Sequence, residues 1–179
     1  MLKKKPIRIA HFPGSLSYGG VGSVLMGLYR ATNKQKIQFD FYVTRTEKGP
    51  FDEEIATFGG RVIPIPKYRD VGLYGYIRTV KHLLEANGPY HAIHIHAVHN
   101  GVQALLASKV SCKCKIIYHI HNTQDRAIER LGFFSSIYKK VAKLAIRRMA
   151  NVYCACSEVA GRYVFGDKLF DDGRVIIIN

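Results

Sequence analysis

The sequence predicts an α/β fold: a Rossmann-like parallel sheet of about seven strands with helices on both faces. Short apolar runs rich in β-branched residues recur along the chain, and segments with helical periodicity lie between them. Glycine and proline pairs such as Gly49-Pro50 and Gly59-Gly60 separate these segments. A length of 179 residues and a hydrophobic content of 47% suit one domain with a sizeable core, so we treat residues 1–179 as one domain.

Seven segments have the composition of strands that are buried on both faces. They are Ile7–Phe12, Phe39–Thr44, Arg61–Ile65, Ala92–Ala97, Lys115–Ile120, Asn151–Cys156 and Arg174–Ile178. Between the first and second, apolar residues at spacings of three and four predict a helix over Val21–Ala31. A second helix is predicted over Leu73–Ala86, where Asn87-Gly88-Pro89 then ends it.

The charge balance favours anionic partners. Lysine and arginine number 27 against 13 aspartates and glutamates, which gives a net charge of +14. No apolar run approaches the roughly 18 residues of a membrane helix. The apolar run Ile7–Phe12 after the basic N-terminus is too short for a signal peptide, so the sequence predicts a cytoplasmic protein.

The four cysteines form two Cys-x-Cys pairs, Cys112/Cys114 and Cys154/Cys156. This spacing differs from the Cys-x-x-Cys of ordinary zinc sites. We expect all four to be buried free thiols, as is usual in a reducing cytosol.

A glycine-rich loop, Pro13–Gly22, follows the first strand. Its glycines allow a ligand close to the backbone, and the following helix N-terminus favours an anion. The third glycine of the dinucleotide fingerprint is missing, and the second strand does not end in the ribose-binding acid, which argues against NAD. The alternative is that these glycines only form a tight turn.

Five of the eight histidines lie in two clusters on the fourth and fifth strands: His94, His96 and His99, then His119 and His121. Three of these, His96, His99 and His121, fall at or beyond the carboxyl ends of the strands, where open parallel sheets bind ligands. We expect the other two to be partly buried and hydrogen-bonded within the sheet. No carboxylate lies beside the clusters to complete a typical ligand set, so the sequence predicts no metal site.

The stretch Arg126–Met149 reads as a basic amphipathic helix. Its apolar residues Ile137, Val141, Leu144 and Ile146 lie near one face. Aromatic and cationic residues that suit an anionic membrane surface accompany them: Phe133, Phe134, Lys139, Lys140, Lys143, Arg147 and Arg148. The alternative is a helix packed on the sheet with a solvated basic face, and both can hold together.

At these residues the sequence resembles the N-terminal domain of the retaining GT-B fold glycosyltransferases of family 4, especially bacterial exopolysaccharide and capsule members. The resemblance covers essentially the whole chain. The segments that carry it are Gly19–Val21, Leu25–Arg30, Phe51–Ile55, Gly59–Val62, His94–His96, Tyr118–Thr123, Cys156–Glu158 and Val175–Asn179. Of these, Tyr118–Thr123 is the most specific.

The resemblance implies that a C-terminal domain binds most of the nucleotide sugar. This domain is absent from the chain, which ends one residue after the seventh strand, so we expect residues 1–179 alone to be inactive. It further implies that Gly19, Gly20 and Gly22 lie near the diphosphate and that His121 is the catalytic histidine near the donor sugar. His96, His99, Asn122 and Thr123 are the accompanying substrate-binding candidates.

One position departs from the family pattern. Many members carry a glutamate after the Gly-Gly-x segment, where this chain has Gly22 followed by Ser23. The contact that the first loop makes with a ligand is therefore open, although glycine still permits close approach of the backbone.

The implied reaction is transfer of a sugar from a nucleoside diphosphate sugar to a glycan or polyprenyl-linked acceptor, with retention and without a cofactor. Surface polysaccharide synthesis would place the protein on the inner face of the cell membrane.

Two alternatives stay open. One is a nucleic-acid-binding module, favoured by the charge but without a recognised motif, so we expect no nucleic acid partner. The other is half of a sugar-nucleotide epimerase, for which Asp125 is the nearest acid–base candidate.

Overall fold

A computed structural model describes residues 5–123 and 134–178. Its core is one sheet of seven strands in the order β3-β2-β1-β4-β5-β6-β7. Every neighbouring pair is parallel, which confirms the predicted fold class. The strands are β1 (Ile7–Gly14), β2 (Ile37–Val43), β3 (Arg61–Pro64), β4 (Ala92–His96), β5 (Lys115–Ile120), β6 (Val152–Ala155) and β7 (Val175–Ile177).

Helices cover both faces of the sheet. They are α1 (Gly20–Ala31), α2 (Asp52–Thr57), α3 (Tyr68–Asn87), α4 (Val102–Ser111), α5 (Phe134–Met149), α6 (Glu158–Phe165) and α7 (Asp167–Asp171). The sequence located α1 correctly and the second part of α3. The first turn of α3 was missed because Gly72, at φ 68°, breaks the helix there.

Two apolar cores lie on opposite faces. Under α1 and α2, Leu25, Tyr29 and Ile55 pack on Phe39 and Phe41 of β2. The second core, on the opposite face of the sheet, is larger. The helices that pack on the central strands there are α3, α4, α5 and α6. Since successive side chains of a strand alternate between faces, neighbours in sequence belong to different cores.

The strand order reverses at β1. This strand bonds to β2 on one side and to β4 on the other, and α3 carries the chain back across the sheet. Such a reversal opens a crevice at the carboxyl ends of the two central strands, which is the usual ligand position in parallel sheets.

A buried carboxylate links the elements on one side of this reversal. Asp40 of β2 is 0% exposed and accepts from Arg8 of β1, from Arg61 of β3 at 2.6 Å and from the Tyr90 hydroxyl at 2.8 Å. Burial raises the pKa of Tyr90, so its hydroxyl stays a donor. Arg61 also donates to the Asn87 carbonyl at 2.6 Å, which attaches the end of α3.

The cysteine expectation was half wrong. Cys154 is a buried free thiol, as expected, and Cys156 is free but only half-buried. Cys112 and Cys114, at the end of α4 and before β5, are joined by a disulfide. The turn between the two elements brings their Cα atoms to 5.3 Å, within the range for a disulfide.

We predict that Asp40→Ala lowers the free energy of unfolding by about 1–3 kcal/mol, because it removes the buried acceptor shared by Arg8, Arg61 and Tyr90. Urea unfolding followed by circular dichroism measures this. Glu53→Ala is the matched control, since it removes only an exposed ion pair with Lys48 and should leave the unfolding midpoint nearly unchanged. Equal unfolding midpoints for the two variants would contradict the prediction.

Candidate functional site

Five histidines form a row across the central strands, which we call the imidazole row: His11 on β1, His94 and His96 on β4, His119 on β5 and His121 directly after it. The strand register explains the row. His11 pairs with His94 and His96 pairs with His119, and paired residues of parallel strands point to the same face. His11 also stacks beside Phe39, with ring centroids 4.3 Å apart, so the row borders the α1 core.

Nitrogen–nitrogen contacts join three rings of the row. His11 Nδ1 lies 3.1 Å from His96 Nε2, and His96 Nδ1 lies 2.9 Å from His121 Nε2. The other rings stack beside them, with His94 and His119 centroids 5.4 Å apart at an interplanar angle of 13°. The strand-end histidines His96 and His121 are thus in direct contact.

The expectation for His94 and His119 was only partly right. His94 is half-buried and His119 is buried, as expected. However, Nε2 of His94 and both ring nitrogens of His119 have no hydrogen-bond partner. The sheet places these rings between other imidazoles and apolar side chains, where backbone groups are already used in the strand ladder.

Burial keeps the row neutral. It lowers the pKa of His11 to about 3, of His94 to about 2 and of His119 to about 4, with repulsion from neighbouring imidazoles adding to the effect. It also lowers the pKa of His96 well below its usual value and lowers that of His121. The row therefore offers neutral imidazoles at physiological pH.

Two sets of three histidines meet the basic requirement for holding a metal ion. They are His11, His94 and His96, and His96, His119 and His121, with one donor nitrogen per ring and all donors of a set within 4.8 Å of one another. Among the described residues, both sets consist of histidines alone and include neither a carboxylate nor a thiol. Three imidazoles can bind zinc without a carboxylate, so missing carboxylates in the sequence do not by themselves argue against a metal site.

The glycine loop has the backbone that its sequence requires. Gly19 and Gly20, at φ 88° and 49°, turn the chain into α1. Gly22 lies so close to the loop that a Cβ there would be 2.1 Å from the Ser17 carbonyl oxygen. Leu16, 1% exposed, anchors the loop in the core.

A cavity of about 300 Å³ opens at the reversal of strand order. Its wall combines the ends of β1, β2 and β4 with the first turns of α3 and α4. His96 belongs both to this wall and to the imidazole row. The remaining wall residues that carry polar or aromatic groups are Phe12, Tyr42, Thr44, Lys67, Tyr68, Arg69, Tyr76, Asn100, Gln103 and Tyr138.

The other sequence candidates are spread around this edge. Asn122 and Thr123 are exposed and follow His121 directly. His99 is fully buried and packs edge-on against the Tyr163 ring of α6, on the face of the sheet that α6 covers. Burial and the nearby Lys143 and Lys139 lower the pKa of His99 to about 4.

Sequence reasoning named His96 but missed the rest of the cavity wall. The signal that could have found it is Lys67-Tyr68-Arg69, two cations and an aromatic ring immediately after β3 and Pro66. Loops that follow strands at the carboxyl edge are where ligand contacts concentrate. Gln103 and Tyr138 carry no such signal, since they lie on helices and meet only in the folded chain, where Gln103 donates to the Tyr138 hydroxyl at 3.0 Å.

Helix α5 carries an exposed apolar stripe: Phe134, Ile137, Val141 and Leu144, between 49% and 69% exposed. Ile146, which the sequence placed on this face, is instead buried at 0% and holds the helix on the sheet with Ala142. Phe133 lies outside the described residues, as does Asp125. Among the described residues no helix is long and apolar enough to cross a bilayer.

The five cations of α5 divide into two groups. Lys143 lies 4.0 Å from the Tyr163 ring, and Arg147 donates to the Val164 carbonyl at 3.2 Å, so both also pack α5 on α6. Lys140 and Arg148 are exposed beside the stripe, and Lys139 is half-buried. One face of the helix is therefore packed on α6, as the second interpretation expected, and another face exposes apolar and basic side chains.

Together, a parallel sheet whose order reverses at β1 and a cavity at that reversal define an α/β domain of the ligand-binding Rossmann-like class. The profile of Glycosyltransferase Family 4 matches residues 18–179. The chain belongs to this family.

Two relatives add detail. The chain is 31% identical over 175 residues to EpsF of Bacillus subtilis (strain 168), a protein whose assigned name is glycosyltransferase, covering 96% of this chain and 44% of EpsF. The crystal structure of UDP-GlcNAc 2-epimerase from Neisseria meningitidis bound to UDP-GlcNAc superposes with a TM-score of 0.56 at 14% identity. That match covers 95% of this chain and 46% of the epimerase, so the chain spans about half the length of each relative.

We predict that acid destabilises the protein in a window set by the imidazole row. The folded-state pKa values of these histidines lie below the unfolded value of about 6.5, so the unfolded chain binds more protons as the pH falls. Stability is then lost from about pH 6.5 towards pH 4, at about 1.4 kcal/mol per pH unit for each neutral buried histidine.

Urea unfolding midpoints between pH 7.5 and 4.5 measure this loss. His119→Leu should reduce the slope by one histidine's contribution, whereas His82→Gln, an exposed histidine of α3, should leave it unchanged. A flat profile between pH 7 and 5 would rule out neutral burial of the row.

Proposed function

We propose that this chain is the N-terminal, acceptor-side domain of a two-domain GT-B glycosyltransferase. The whole enzyme moves a sugar from a nucleoside diphosphate sugar to a glycan or polyprenyl-linked acceptor, with retention of configuration, in cell-surface polysaccharide synthesis. The observation that carries the proposal is the family match over residues 18–179, combined with a cavity and two touching histidines at the reversal of strand order.

The lengths of the relatives support a second domain. Both EpsF and the epimerase are matched over less than half of their length by nearly all of this chain. The family match favours sugar transfer over epimerisation, since the likeness to the epimerase, at 14% identity, speaks for the fold alone. The epimerase's bound UDP-GlcNAc is consistent with a sugar nucleotide as the ligand of this architecture.

In the proposed reaction an acceptor hydroxyl oxygen forms a bond to the anomeric carbon as the bond from that carbon to the diphosphate oxygen breaks. The hydroxyl proton leaves with the diphosphate. Charge develops on the departing phosphate, where the backbone N–H groups of Gly20 and Gly22 at the start of α1 would stabilise it. The N–H of Gly19, the third glycine expected there, donates instead to Ser23 Oγ at 2.9 Å. His121 would contact the donor sugar, with Asn122 and Thr123 beside it.

The cavity suits the acceptor. Its aromatic rings Tyr68, Tyr76 and Tyr138 offer faces for a sugar ring, and Lys67 and Arg69 offer charge for a phosphate group. The volume of about 300 Å³ is at the lower end of the range for small-molecule sites. His96 belongs to the wall of this cavity, and its ring contacts His121 on the other face of the sheet.

We predict that His121→Ala in the full-length enzyme lowers turnover by roughly 10²–10³-fold, the usual loss when a group that contacts the transition state is removed. Transfer is measured as nucleotide release from a set of nucleoside diphosphate sugars in the presence of lipid-linked acceptors. The isolated 179-residue chain should show no turnover.

Two controls accompany this experiment. His82→Ala, on the exposed side of α3, should retain full activity. The circular dichroism spectrum and melting temperature of His121→Ala should match those of the parent protein. If His121→Ala is as active as the parent, His121 has no part in the reaction.

We also propose that α5 docks on an anionic membrane surface, on the inner face of the cell membrane. The exposed stripe of Phe134, Ile137, Val141 and Leu144, with Lys140 and Arg148 beside it, has the composition of an interfacial helix. A polyprenyl-linked acceptor would be reached from such a surface.

We expect the chain to co-sediment with phosphatidylglycerol vesicles but not with phosphatidylcholine vesicles. Lys140→Gln should weaken binding about fivefold, in line with about 1 kcal/mol per surface cation. Leu144→Asp should weaken it further by removing apolar insertion.

Val110→Asp is the matched control, because Val110 is a similarly exposed apolar residue of α4 outside the stripe. It should bind vesicles like the parent. Tighter binding to duplex DNA than to the anionic vesicles would instead support a nucleic-acid-binding module.

A further inference from the structure

Three rings of the imidazole row form a single file. It runs from the core outwards: His11, then His96, then His121. The inner two are 1% and 6% exposed, and His121 is half-buried at the open edge of the sheet. His96 uses both of its ring nitrogens, one towards each neighbour.

The number of N–H donors in the three rings limits how they can hydrogen-bond to one another. A neutral imidazole has one N–H donor and one lone pair, so two rings in contact share a single proton between their facing nitrogens. Burial and the neighbouring imidazoles lower the pKa of His96, so this ring is neutral at physiological pH. His96 must therefore donate to one neighbour and accept from the other.

We propose that His96 and His11 are positioning residues that hold His121 in one orientation and one tautomer. The contacts run from Nδ1 of one ring to Nε2 of the next, so all three rings carry their proton on the same kind of nitrogen. Either all three are Nδ1–H or all three are Nε2–H. The relevance to sugar transfer rests on the proposed role of His121, but the tautomer rule does not.

The inner end of the file is closed. His11 Nε2 is buried without a hydrogen-bond partner, and its ring lies against Phe39 at 4.3 Å between centroids. Reversing the file would require a proton to enter or leave at this nitrogen. The file therefore keeps the outer nitrogen of His121 either always a hydrogen-bond donor or always an acceptor. It does not act as a proton shuttle.

Metal binding by the same rings is the competing arrangement. A tetrahedral ion with bonds of about 2.0–2.1 Å would hold its nitrogens about 3.4 Å apart and would need one lone pair of His96. The observed contacts of 2.9 Å and 3.1 Å are hydrogen-bond lengths and engage both nitrogens of His96. We therefore favour the hydrogen-bonded file and make metal binding an outcome of the test.

The test reads the tautomers in the 179-residue chain labelled with ¹⁵N-histidine, at pH 7.5 with EDTA, by long-range ¹H–¹⁵N correlation spectra. We expect one and the same tautomer for His11, His96 and His121. His96→Leu should leave His121 as a mixture of tautomers, whereas His96→Gln, whose amide both donates and accepts, should keep it in one. His82→Gln is the control and should change none of the three.

Different tautomers among the three rings, a cationic ring, or an unchanged His121 in a folded His96→Leu variant would overturn the proposal. So would zinc that co-purifies at one equivalent per chain and shifts these signals when EDTA removes it. If His96→Leu does not fold, the tautomers of the unaltered chain still decide.

In the full-length enzyme, His96→Leu should lower kcat more than it changes KM, and His96→Gln should recover part of the loss. The two proposals can fail separately. An active His121→Ala variant removes the proposed role of His121 and leaves the tautomer rule standing. Mixed tautomers in the labelled chain overturn the tautomer rule and leave the proposed role of His121 standing.

Discussion

The position of β1 depends on a carboxylate that has no access to water. Asp40 is 0% exposed and accepts hydrogen bonds from Arg8, Arg61 and the Tyr90 hydroxyl, and an unpaired charge at that depth would cost several kcal/mol. These partners belong to β1, β3 and the approach to β4. The contacts of Asp40 thus join the strands in the observed register, in which His11 lies beside His94.

The two faces of the sheet have different chemistry at the same edge. On one face, Ile95 and its neighbours belong to the large apolar core under α3 and α4, above which the cavity opens. On the other face, the next residue, His96, joins the imidazole row. Ile95 and His96 are consecutive residues of β4, so their side chains point to opposite faces. This strand therefore borders both the pocket proposed for the acceptor and the imidazole row, which contains the histidine proposed to contact the donor.

Much of the fold could be predicted from the sequence because it depends on local patterns. Runs of β-branched residues located all seven strands, and the helical spacing located α1. The strand-end histidines were predicted to lie at a ligand edge from the general geometry of parallel sheets, and His96 and His121 do meet there.

The rest depends on residues that are distant in sequence. Arg8 and Arg61 lie on separate strands and carry no local sign that they bind Asp40. The contact between His11 and His96 requires the strand order, which periodicity does not give. Helix α5 was misjudged at Ile146 because the sequence shows an apolar face without showing which side of it meets the sheet.

Position 22, in the first turn of α1, has no room for a side chain. Any side chain at this position would collide with the Ser17 carbonyl oxygen, so the Ser15–Ser17 loop and the first turn of α1 are shaped to each other. A glutamate grafted at position 22 would displace the loop before its carboxylate could meet a ligand. Exchanges between family members at this position are informative only when the loop and the helix start are transplanted as one unit.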